Sequence, residues 1–472
     1  MASGYDLVIV GMGSGGLVAA EFAASLGLRV ATVERGRLGG DCLWTGCVPS
    51  KALIASAKVA HHMRVADRYG IRAVEPEVDS ARVWQRIHAV QEEIASTDDD
   101  PARYIALGIE LIAGQARVTG PHTVEVGERV LGTRYILLAT GSRPAIPPVD
   151  GLDDAGFLTS ENVFELDRAP ASLVVIGGGP ISIEMAQAFR RLGVPVTVLQ
   201  RRPGILPRDE PELVAILTRV LRDEGVDVVV DVEVRRVTVE DGRKVVHGSV
   251  AGGPRSWAAA EILVGAGRRP NVEGLGLEEA GVAVGPGGVT VDERMRTGVP
   301  SIYAVGDLTG RELFTHAAAY QGVRAVRDMF FPGRGKAGAL VPWCTFTDPE
   351  LAHAGMTVAE ARAEHGADGV EVFRHDLAHS DRARADGTTE GAIIIVTLHG
   401  RVVGAHILAP AAGEMIGELV LAIDQDMKLT QVAGAIHVYP TLALGIGQLA
   451  AEAAFESAQR FRWLVKRQHG KP

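Results

Sequence analysis

Two stretches of the chain share one pattern, an apolar strand followed by a glycine-rich turn, a helix and a second strand. The first covers residues 6–34 and the second covers residues 173–202. This βαβ pattern is typical of dinucleotide-binding units, in which a pyrophosphate lies at the start of the helix. Two such units in a chain of 472 residues predict an α/β protein with several domains.

Each glycine of the first turn has a physical task in this pattern. Gly11 makes the tight turn, Gly13 lets the backbone approach a pyrophosphate, and Gly16 allows the helix to pack on the strand. Glu34 follows Gly16 by 18 residues, at the end of the second strand, where an acid can bind a ribose hydroxyl. The turn alone predicts a dinucleotide and does not decide between FAD and NAD(P).

The second turn departs from the pattern at two places. Gly177 and Gly179 hold the first two glycine positions, and Ser182, a small residue that should still pack, holds the third. The second strand ends in Gln200-Arg201-Arg202 rather than in an acid. An acid would bind the ribose of NAD, whereas arginine accommodates the 2′-phosphate of NADP. We therefore predict NADPH, with NADH as the weaker ligand, and electron transfer between two bound dinucleotides.

Two of the three cysteines lie five positions apart in residues 39–51, which read Gly-Gly-Asp-Cys-Leu-Trp-Thr-Gly-Cys-Val-Pro-Ser-Lys. On an ideal helix their axial separation would be about 7.5 Å, more than the ~7 Å between Cα atoms that a disulfide tolerates. Thr45 and Gly46 could let the backbone distort, which would make a bridge feasible. A helix that starts here would also favour a thiolate through its dipole. The alternative is a pair of unrelated buried thiols.

The composition argues against several classes of partner. The net charge is −10 and the pI is about 5.8, so no basic footprint for nucleic acid is present. No run approaches the ~18 apolar residues of a membrane span. An odd number of cysteines without a secretory leader fits a reducing compartment. We expect a soluble, cytoplasmic protein without a metal site, and we read Asp98-Asp99-Asp100 as a solvated turn that starts a helix.

The string of residues 39–51 resembles the redox-active disulfide of the class I pyridine nucleotide-disulfide oxidoreductases, FAD enzymes that include dihydrolipoamide, glutathione and mercuric reductases. The resemblance implies FAD at the first turn, because a redox disulfide needs the flavin beside it. By the same resemblance, Cys47 is the flavin-side charge-transfer thiolate and Cys42 is the interchange thiol that faces the substrate. Lys51 would lie by the flavin and pair with Glu184 of the second dinucleotide unit.

Three further segments resemble motifs of the family. They are the end of a strand at residues 137–144, the return from the NAD(P) domain at residues 263–271 and the second FAD motif at residues 301–307. The resemblance implies additional FAD-binding positions, which are Gly114, Thr140, Gly141, Asp307 and His316. It implies one more NADP-binding position, Gly267. We expect the His316 side chain to be a structural partner rather than a catalyst.

The resemblance covers nearly the whole chain and implies an architecture of two Rossmann-like domains followed by a C-terminal α+β dimerisation domain. The implied boundaries are an FAD-binding domain at residues 1–150 and 271–337, an NAD(P)-binding domain at 151–270 and an interface domain at 338–472. It also implies a homodimer in which the two subunits share each active site.

The chain departs from the family where the disulfide reductases carry His-x-His-Pro-Thr and a downstream glutamate. It keeps the first histidine as His437, but Tyr439 holds the position of the catalytic histidine and Leu444 that of the glutamate. Tyrosine, with a reference pKa near 10, is a poor general base at neutral pH. Mercuric reductases also lack this histidine and carry a tyrosine in their metal-binding pocket. Because residues two apart in an extended segment face the same way, His437 could reach the disulfide together with Tyr439.

These observations predict that electrons pass from NADPH through FAD to the cysteine pair, and then to a metal ion or a small oxidant. A metal acceptor is chemically suitable because soft ions prefer thiolate ligands, although the accessory cysteines of mercuric reductases are missing. The alternatives are a dihydrolipoamide or low-molecular-weight disulfide reductase and, in another class, a slow redox-sensing flavoprotein. We assign Cys344, in an apolar strand, to core packing rather than to a metal or redox role.

Overall fold

The N-terminal unit is a buried sheet flanked by helices, and the computed structural model describes residues 4–332 and 340–459. The strands of this unit are β1 Tyr5–Val10, β2 Val30–Glu34, β3 Glu110–Ala113, β4 Ala116–Gly120, β5 Thr123–Val126, β6 Arg129–Leu138 and β7 Ser142–Pro144. Its helices are α1 Ser14–Ser25, α2 Gly40–Trp44, α3 Cys47–Arg64, α4 Ser80–Ala95 and α5 Pro101–Ala106.

The parallel part of this sheet carries the first glycine-rich turn. β1 lies between β2 and β6, and β3 continues the sheet beyond β2, all in parallel. β4 and β5 add an antiparallel extension to β6. The sequence predicts one strand over residues 109–116, and this is wrong: Gly114 takes a φ of +147° and divides it into β3 and β4. A Cβ at Gly114 would lie 2.7 Å from Val126 Cγ1, so the turn requires glycine.

The second unit repeats the βαβ arrangement and adds a separate antiparallel sheet. Its elements are α6 Leu152–Ala155, β8 Leu173–Ile176, α7 Pro180–Arg191, β9 Val196–Leu199, α8 Pro211–Asp223, β10 Asp227–Val229, β11 Glu233–Glu240, β12 Arg243–Val250, β13 Gly253–Ala259 and β14 Glu261–Val264. The parallel sheet has the order β10-β9-β8-β14, and β11, β12 and β13 form the antiparallel one. β8 is buried along its whole length, as expected for the central strand of a parallel sheet.

The chain then returns to the N-terminal unit. The elements of this segment are β15 Arg268–Pro270, β16 Val284–Gly285, β17 Gly288–Val289, β18 Ile302–Ala304 and α9 Thr315–Phe330. β15 pairs with β7 and β18 joins β6 in parallel, so the N-terminal sheet is completed by a segment from after the second unit. α9 packs closely on α1, where a Cβ at Gly322 would lie 2.5 Å from the Gly15 carbonyl oxygen.

The C-terminal unit is an antiparallel sheet with helices, as the predicted α+β class requires. Its elements are β19 Trp343–Thr345, β20 Glu350–Gly355, α10 Val358–His365, β21 Val370–Asp376, α11 Asp381–Ala385, β22 Ala392–Leu398, β23 Arg401–Ala409, α12 Ala412–Asp424, α13 Leu429–Val432 and α14 Leu444–Gln459. The sheet order is β19-β20-β23-β22-β21. Apolar residues of α12 and α14 share one core with this sheet.

The order of these units agrees with the predicted fold class, and the exact domain boundaries stay predictions. The boundary between residues 337 and 338 lies outside the described residues. Over residues 4–332 and 340–459, no helix has both the length and the apolar character needed to cross a bilayer.

Candidate active site

One large cleft runs between the two glycine-rich turns and reaches the cysteine segment. Its volume is about 2310 Å³, whereas a site for one small molecule has about 300–1,000 Å³. Most of the predicted site residues line it: Gly11, Gly13, Glu34, Cys42, Cys47, Lys51, Gly114, Thr140, Gly141, Gly177, Gly179, Glu184, Gln200, Arg201, Arg202, Gly267, Asp307 and His316. The cleft is therefore large enough for two extended cofactors, and both cysteines line it.

Two predicted residues, Gly16 and Ser182, lie behind the cleft and pack the helices on the strands. A Cβ at Gly16 would lie 1.9 Å from the Gly11 carbonyl oxygen, so only glycine fits there. Ser182 is fully buried, and its hydroxyl donates to the Gly265 carbonyl oxygen at 3.3 Å. The third position of the second turn thus accepts serine because its hydroxyl finds a backbone acceptor at the end of β14.

The residues around the first turn fit a dinucleotide. A Cβ at Gly13 would meet nothing nearer than Gly40 Cα at 3.9 Å, which leaves the backbone open to a ligand. The Glu34 carboxylate accepts from the Met12 amide at 2.7 Å and so lies directly beside the turn. Asp307 accepts from the Ser142 hydroxyl at 2.5 Å, and burial raises the pKa of its carboxyl. This cradle supplies backbone amides for a pyrophosphate and acidic side chains for hydroxyl groups.

Arg268 connects this cradle to the cysteine segment and was not singled out from the sequence. Its guanidinium donates to Asp41, the residue before Cys42, and lies 3.3 Å from Asp307. Its Nε also donates to the Ser142 hydroxyl at 2.6 Å. The arginine belongs to the segment of residues 263–271, but Asp41 lies 227 positions away in the sequence, so no local pattern indicates the contact.

The cysteines lie at the junction of two helices, and the break between them is at the predicted place. α2 ends at Trp44 and α3 begins at Cys47. A Cβ at Gly46 would lie 2.8 Å from the Asp41 carbonyl oxygen, so glycine is needed at the junction. The buried amide of Gln91 donates to the carbonyl oxygens of Leu43 at 3.0 Å and Trp44 at 2.8 Å. Gln91 caps α2 and was missed, since nothing in the sequence distinguishes it from other polar residues of its helix.

The two thiols have opposite electrostatic environments. A hydrogen bond from Cys42 is the largest cause that lowers the pKa of Cys47 to about 6, with contributions from Thr315 and Lys51. The same hydrogen bond, together with burial, raises the pKa of Cys42. The Thr315 hydroxyl lies 3.3 Å from Cys47 Sγ, at the first residue of α9. Cys47 is therefore the sulfur on which negative charge collects.

Thr315 was missed and its neighbour His316 was named instead. The Nε2 atom of His316 lies 2.7 Å from the Pro342 carbonyl oxygen, and its ring stacks on Phe314 with centroids 5.5 Å apart. These contacts agree with the structural role expected for the histidine. The only sequence signal for Thr315 is its position at the start of a helix, next to that histidine.

The predicted pair of Lys51 and Glu184 is present. Lys51 Nζ lies 2.9 Å from Glu184 Oε2, and the Glu184 side chain is 7% exposed. The other carboxylate oxygen accepts from the Phe346 amide at 2.9 Å, and the ammonium lies 4.3 Å from the centroid of the Phe346 ring. The pair therefore connects α3, α7 and the C-terminal unit at the floor of the cleft.

The residues after β9 divide into one buried amide and two exposed cations. Gln200 is 8% exposed, and its side chain bonds the Gly204 carbonyl oxygen and the Arg201 amide. Arg201 and Arg202 are exposed and line the cleft. Within the described part of the chain, neither guanidinium forms an ion pair. Both are thus available to an anionic ligand.

His437 and Tyr439 do not line the cleft that contains the cysteines of the same chain. The Tyr439 side chain is largely exposed, and its hydroxyl donates to Asp381 at 3.2 Å. His437 turns inward and its Nε2 lies 3.1 Å from both carboxylate oxygens of Glu418. The two side chains therefore have different surroundings, although they are only two positions apart, because the chain bends at Tyr439 and does not form a strand there.

Cys344 lies between the core of the C-terminal unit and the cleft. It belongs to β19 and packs against the core of the C-terminal unit, and it also lines the cleft. Burial is the main cause that raises the pKa of its thiol. A neutral thiol is consistent with the packing role expected for it.

A single cleft thus contains two dinucleotide turns, a cysteine pair with one stabilised thiolate, and a lysine–glutamate pair. This arrangement defines a class of protein, the flavoprotein disulfide oxidoreductases. Comparison with known proteins assigns the chain to the same class. Residues 5–322 match the pyridine nucleotide-disulphide oxidoreductase family model, and residues 341–450 match the dimerisation domain of that family. The chain belongs to the class I pyridine nucleotide-disulfide oxidoreductases, which use FAD and a pyridine nucleotide, and its dimerisation domain supports a homodimer.

Relatives along the whole chain carry different names. The chain is 35% identical over 469 residues to a dihydrolipoyl dehydrogenase of Thermus scotoductus, covering 96% of this chain and 98% of the relative. It is 36% identical over 470 residues to a mercuric reductase of Acidithiobacillus ferrooxidans, covering 95% and 83%. The Cu(II) complex of the HOCl-induced flavoprotein disulfide reductase RclA from Escherichia coli has a similar structure, with a TM-score of 0.83, 29% identity and coverage of 94% and 98%.

We predict that the thiol of Cys42 controls the charge of Cys47. In a Cys344→Ala background, Cys42→Ala should raise the pKa of Cys47 from about 6 toward 9.0, because the main hydrogen-bond donor is lost. At a pH between about 6 and 9.0, Cys47 of the variant would then be a neutral thiol instead of a thiolate. The matched variant Cys42→Ser keeps a donor and should keep much of the shift. Thiolate absorbance of the reduced, FAD-free protein against pH measures this, and an unchanged midpoint in Cys42→Ala would contradict it.

Proposed function

We propose that this protein takes electrons from NADPH and delivers them through the Cys42–Cys47 pair to a metal ion or a small oxidant. The observation that carries the proposal is the asymmetric cysteine pair, in which a stabilised Cys47 thiolate lies between Lys51 and Thr315 in the cleft of both dinucleotide turns. When bound, FAD supplies two-electron transfer between a nicotinamide and a disulfide.

The residues of the cleft have separate tasks in this proposal. The backbone amides of both turns hold the pyrophosphate groups, and Glu34 and Asp307 orient hydroxyl groups. Lys51, fixed by Glu184, keeps a positive charge beside Cys47 and so favours the thiolate. One NADPH, which supplies two electrons and one proton, together with one proton from solvent would convert the disulfide to two thiols. The dithiol would return both electrons to the acceptor, release two protons to solvent and close the disulfide again.

The preference for NADPH is supported by the two exposed arginines that follow β9. Arg201 and Arg202 follow the strand that ends beside the second turn, and the acid that would bind the ribose of NAD is absent from that position. An exposed guanidinium can bind a 2′-phosphate through charge-assisted hydrogen bonds. Both arginines line the same cleft as the second glycine-rich turn.

A metal or small acceptor is favoured over a bulky disulfide by the residue at position 439. A dithiol exchange needs a general acid–base beside the interchange thiol, and tyrosine is a weak base at neutral pH. A soft metal ion instead needs thiolate ligands. Cys47 supplies one of them, and Cys42 would supply the second when the metal displaces its proton. One Hg(II) would take both electrons, whereas Cu(II) would need two ions. The names of a mercuric reductase and of a Cu(II) complex among the relatives support this class of acceptor.

We further propose that Tyr439 acts in the partner subunit's site. Within one chain it lies away from the cysteine cleft, on a segment that is exposed although it carries apolar residues. This segment falls inside the matched dimerisation domain. A second subunit that covers the segment would bring the tyrosine toward the cysteines of its partner.

We predict that metal reduction depends on Cys42. NADPH oxidation by the FAD-loaded protein should be fast with Hg(II) and excess thiol, slow with lipoamide and oxidised glutathione, and nearly abolished for the metal in Cys42→Ser. A quinone can take electrons without the cysteines, so its turnover should persist in the variant and serves as the control. Fast lipoamide turnover would favour the dihydrolipoamide alternative, which full-length similarity to a dihydrolipoyl dehydrogenase supports. Slow turnover with every acceptor would favour a redox sensor.

The two arginines should determine the choice of nucleotide. In an Arg201→Ala/Arg202→Ala variant, we expect kcat/KM for NADPH to fall about tenfold to a hundredfold, since a charged hydrogen bond contributes about 1.5–3 kcal/mol. The kcat/KM for NADH should stay nearly constant. Arg219→Ala is the matched control, because this arginine lies on α8 and pairs with Glu390 at 2.8 Å. Steady-state kinetics with both nucleotides measures the ratio, and an equal loss for the two would contradict the assignment.

A further inference from the structure

The segment of residues 433–443, between α13 and α14, carries Tyr439 and is called here the tyrosine segment. Three of its large side chains are exposed: Ile436 is 99% exposed, Val438 is 73% exposed and Tyr439 is 67% exposed. The exposure of three large apolar groups on one short segment indicates a surface that another protein chain covers. The match to a dimerisation domain over residues 341–450 makes a second copy of this chain the occupant.

His437 is the exception in this segment. Its side chain is 9% exposed, in contrast to its exposed neighbours on both sides. Nε2 lies 3.1 Å from both carboxylate oxygens of Glu418, and Nδ1 faces the Ala435 carbonyl oxygen at 3.3 Å. A Cβ at Gly447 would lie 2.6 Å from Nδ1, so the ring fits only because α14 has a glycine there. The imidazole is held between α12 and α14.

The contacts of this ring argue against a role as a proton donor or acceptor for substrate. Both ring nitrogens face oxygen atoms of the same chain, Nε2 the Glu418 carboxylate and Nδ1 the Ala435 carbonyl oxygen. The ring is almost fully buried, whereas Val438 and Tyr439 beside it are exposed. Neither ring nitrogen is therefore directed at the surface that a substrate would approach.

We propose that Glu418 and His437 form a positioning pair that anchors the tyrosine segment, so that Tyr439 reaches the acceptor at the partner's cysteines. This inference rests on the proposed function, in which the segment completes the site of the other subunit. Like the disulfide reductases, this chain therefore has a histidine and a carboxylate in this region. In this chain the two residues hold the tyrosine segment in place, and they do not transfer a proton to the substrate. The pair would act on electron delivery to the acceptor and not on the reaction with NADPH.

The test separates anchoring from proton transfer by a conservative variant. His437→Ala and Glu418→Ala should lower kcat with the metal acceptor about tenfold or more, since a displacement of about 1 Å can cost up to a hundredfold in rate. His437→Gln keeps a side-chain N–H toward Glu418 but cannot carry a proton, so it should retain most of the activity. The double alanine variant should be no worse than either single variant, because both changes break the same contact.

Two readouts accompany these rates. The rate at which NADPH reduces the bound flavin before acceptor is added should be unchanged in all variants. Light scattering should give a dimer for all of them. Glu240→Gln is the matched control, because Glu240 pairs with His247 at 3.5 Å in the antiparallel sheet of the second unit and lies outside the site.

Three results would overturn the positioning role. If His437→Gln loses as much activity as His437→Ala, the histidine transfers a proton. If His437→Ala and Glu418→Ala keep full kcat, the pair does not position the segment. If activity is lost but returns as the protein concentration rises, the pair serves dimer assembly instead.

Failure of the shared site itself is detected separately. Dimers that combine one Cys42→Ser subunit with one Tyr439→Ala subunit contain a single site with both intact residues. Such mixed dimers, purified with two affinity tags, should be far more active than either parent dimer. No gain would reject the shared site of the proposed function, whatever the variants of Glu418 and His437 do.

Discussion

The ion pair between Lys51 and Glu184 fixes the geometry on which the rest of the site depends. It joins the helix that begins at Cys47 to the helix of the second dinucleotide turn, and Glu184 also accepts from the amide of Phe346 in the C-terminal unit. Breaking a buried ion pair costs about 3–5 kcal/mol, and the 37% exposure of the Lys51 side chain reduces that value here. The pair therefore holds three units together at the point where electrons would cross between them.

The same lysine contributes to an asymmetry between the two sulfurs. Cys47 receives hydrogen bonds from Cys42 and Thr315 and lies near the Lys51 ammonium, whereas Cys42 loses its proton less readily because it donates to Cys47. Cys47 therefore holds negative charge while Cys42 keeps its proton, and Cys42 must lose that proton before it can act as a nucleophile or a metal ligand. The break at Gly46 is what allows the two sulfurs to meet, because a continuous helix would separate them.

Features that depend on neighbouring residues could be predicted from the sequence, including both βαβ units and the helix break between the cysteines. The residues that were missed reach the site from distant parts of the chain. Arg268 contacts Asp41, Gln91 caps α2, and Thr315 contacts Cys47. The direction of the His437 side chain was also not predictable, since it depends on Glu418 of α12. No local pattern encodes such long-range contacts.

In the proposed function, the cysteine pair stores two electrons between NADPH and the acceptor. Anaerobic titration of the FAD-loaded protein with NADPH, followed by counting of the accessible thiols, tests it most directly. The protein is expected to consume one NADPH more per subunit than its Cys42→Ser variant and to gain two thiols. A Cys344→Ser control should take up as much NADPH as the unaltered protein. Equal consumption by the protein and the Cys42→Ser variant, without new thiols, would show that the cysteine pair does not store electrons.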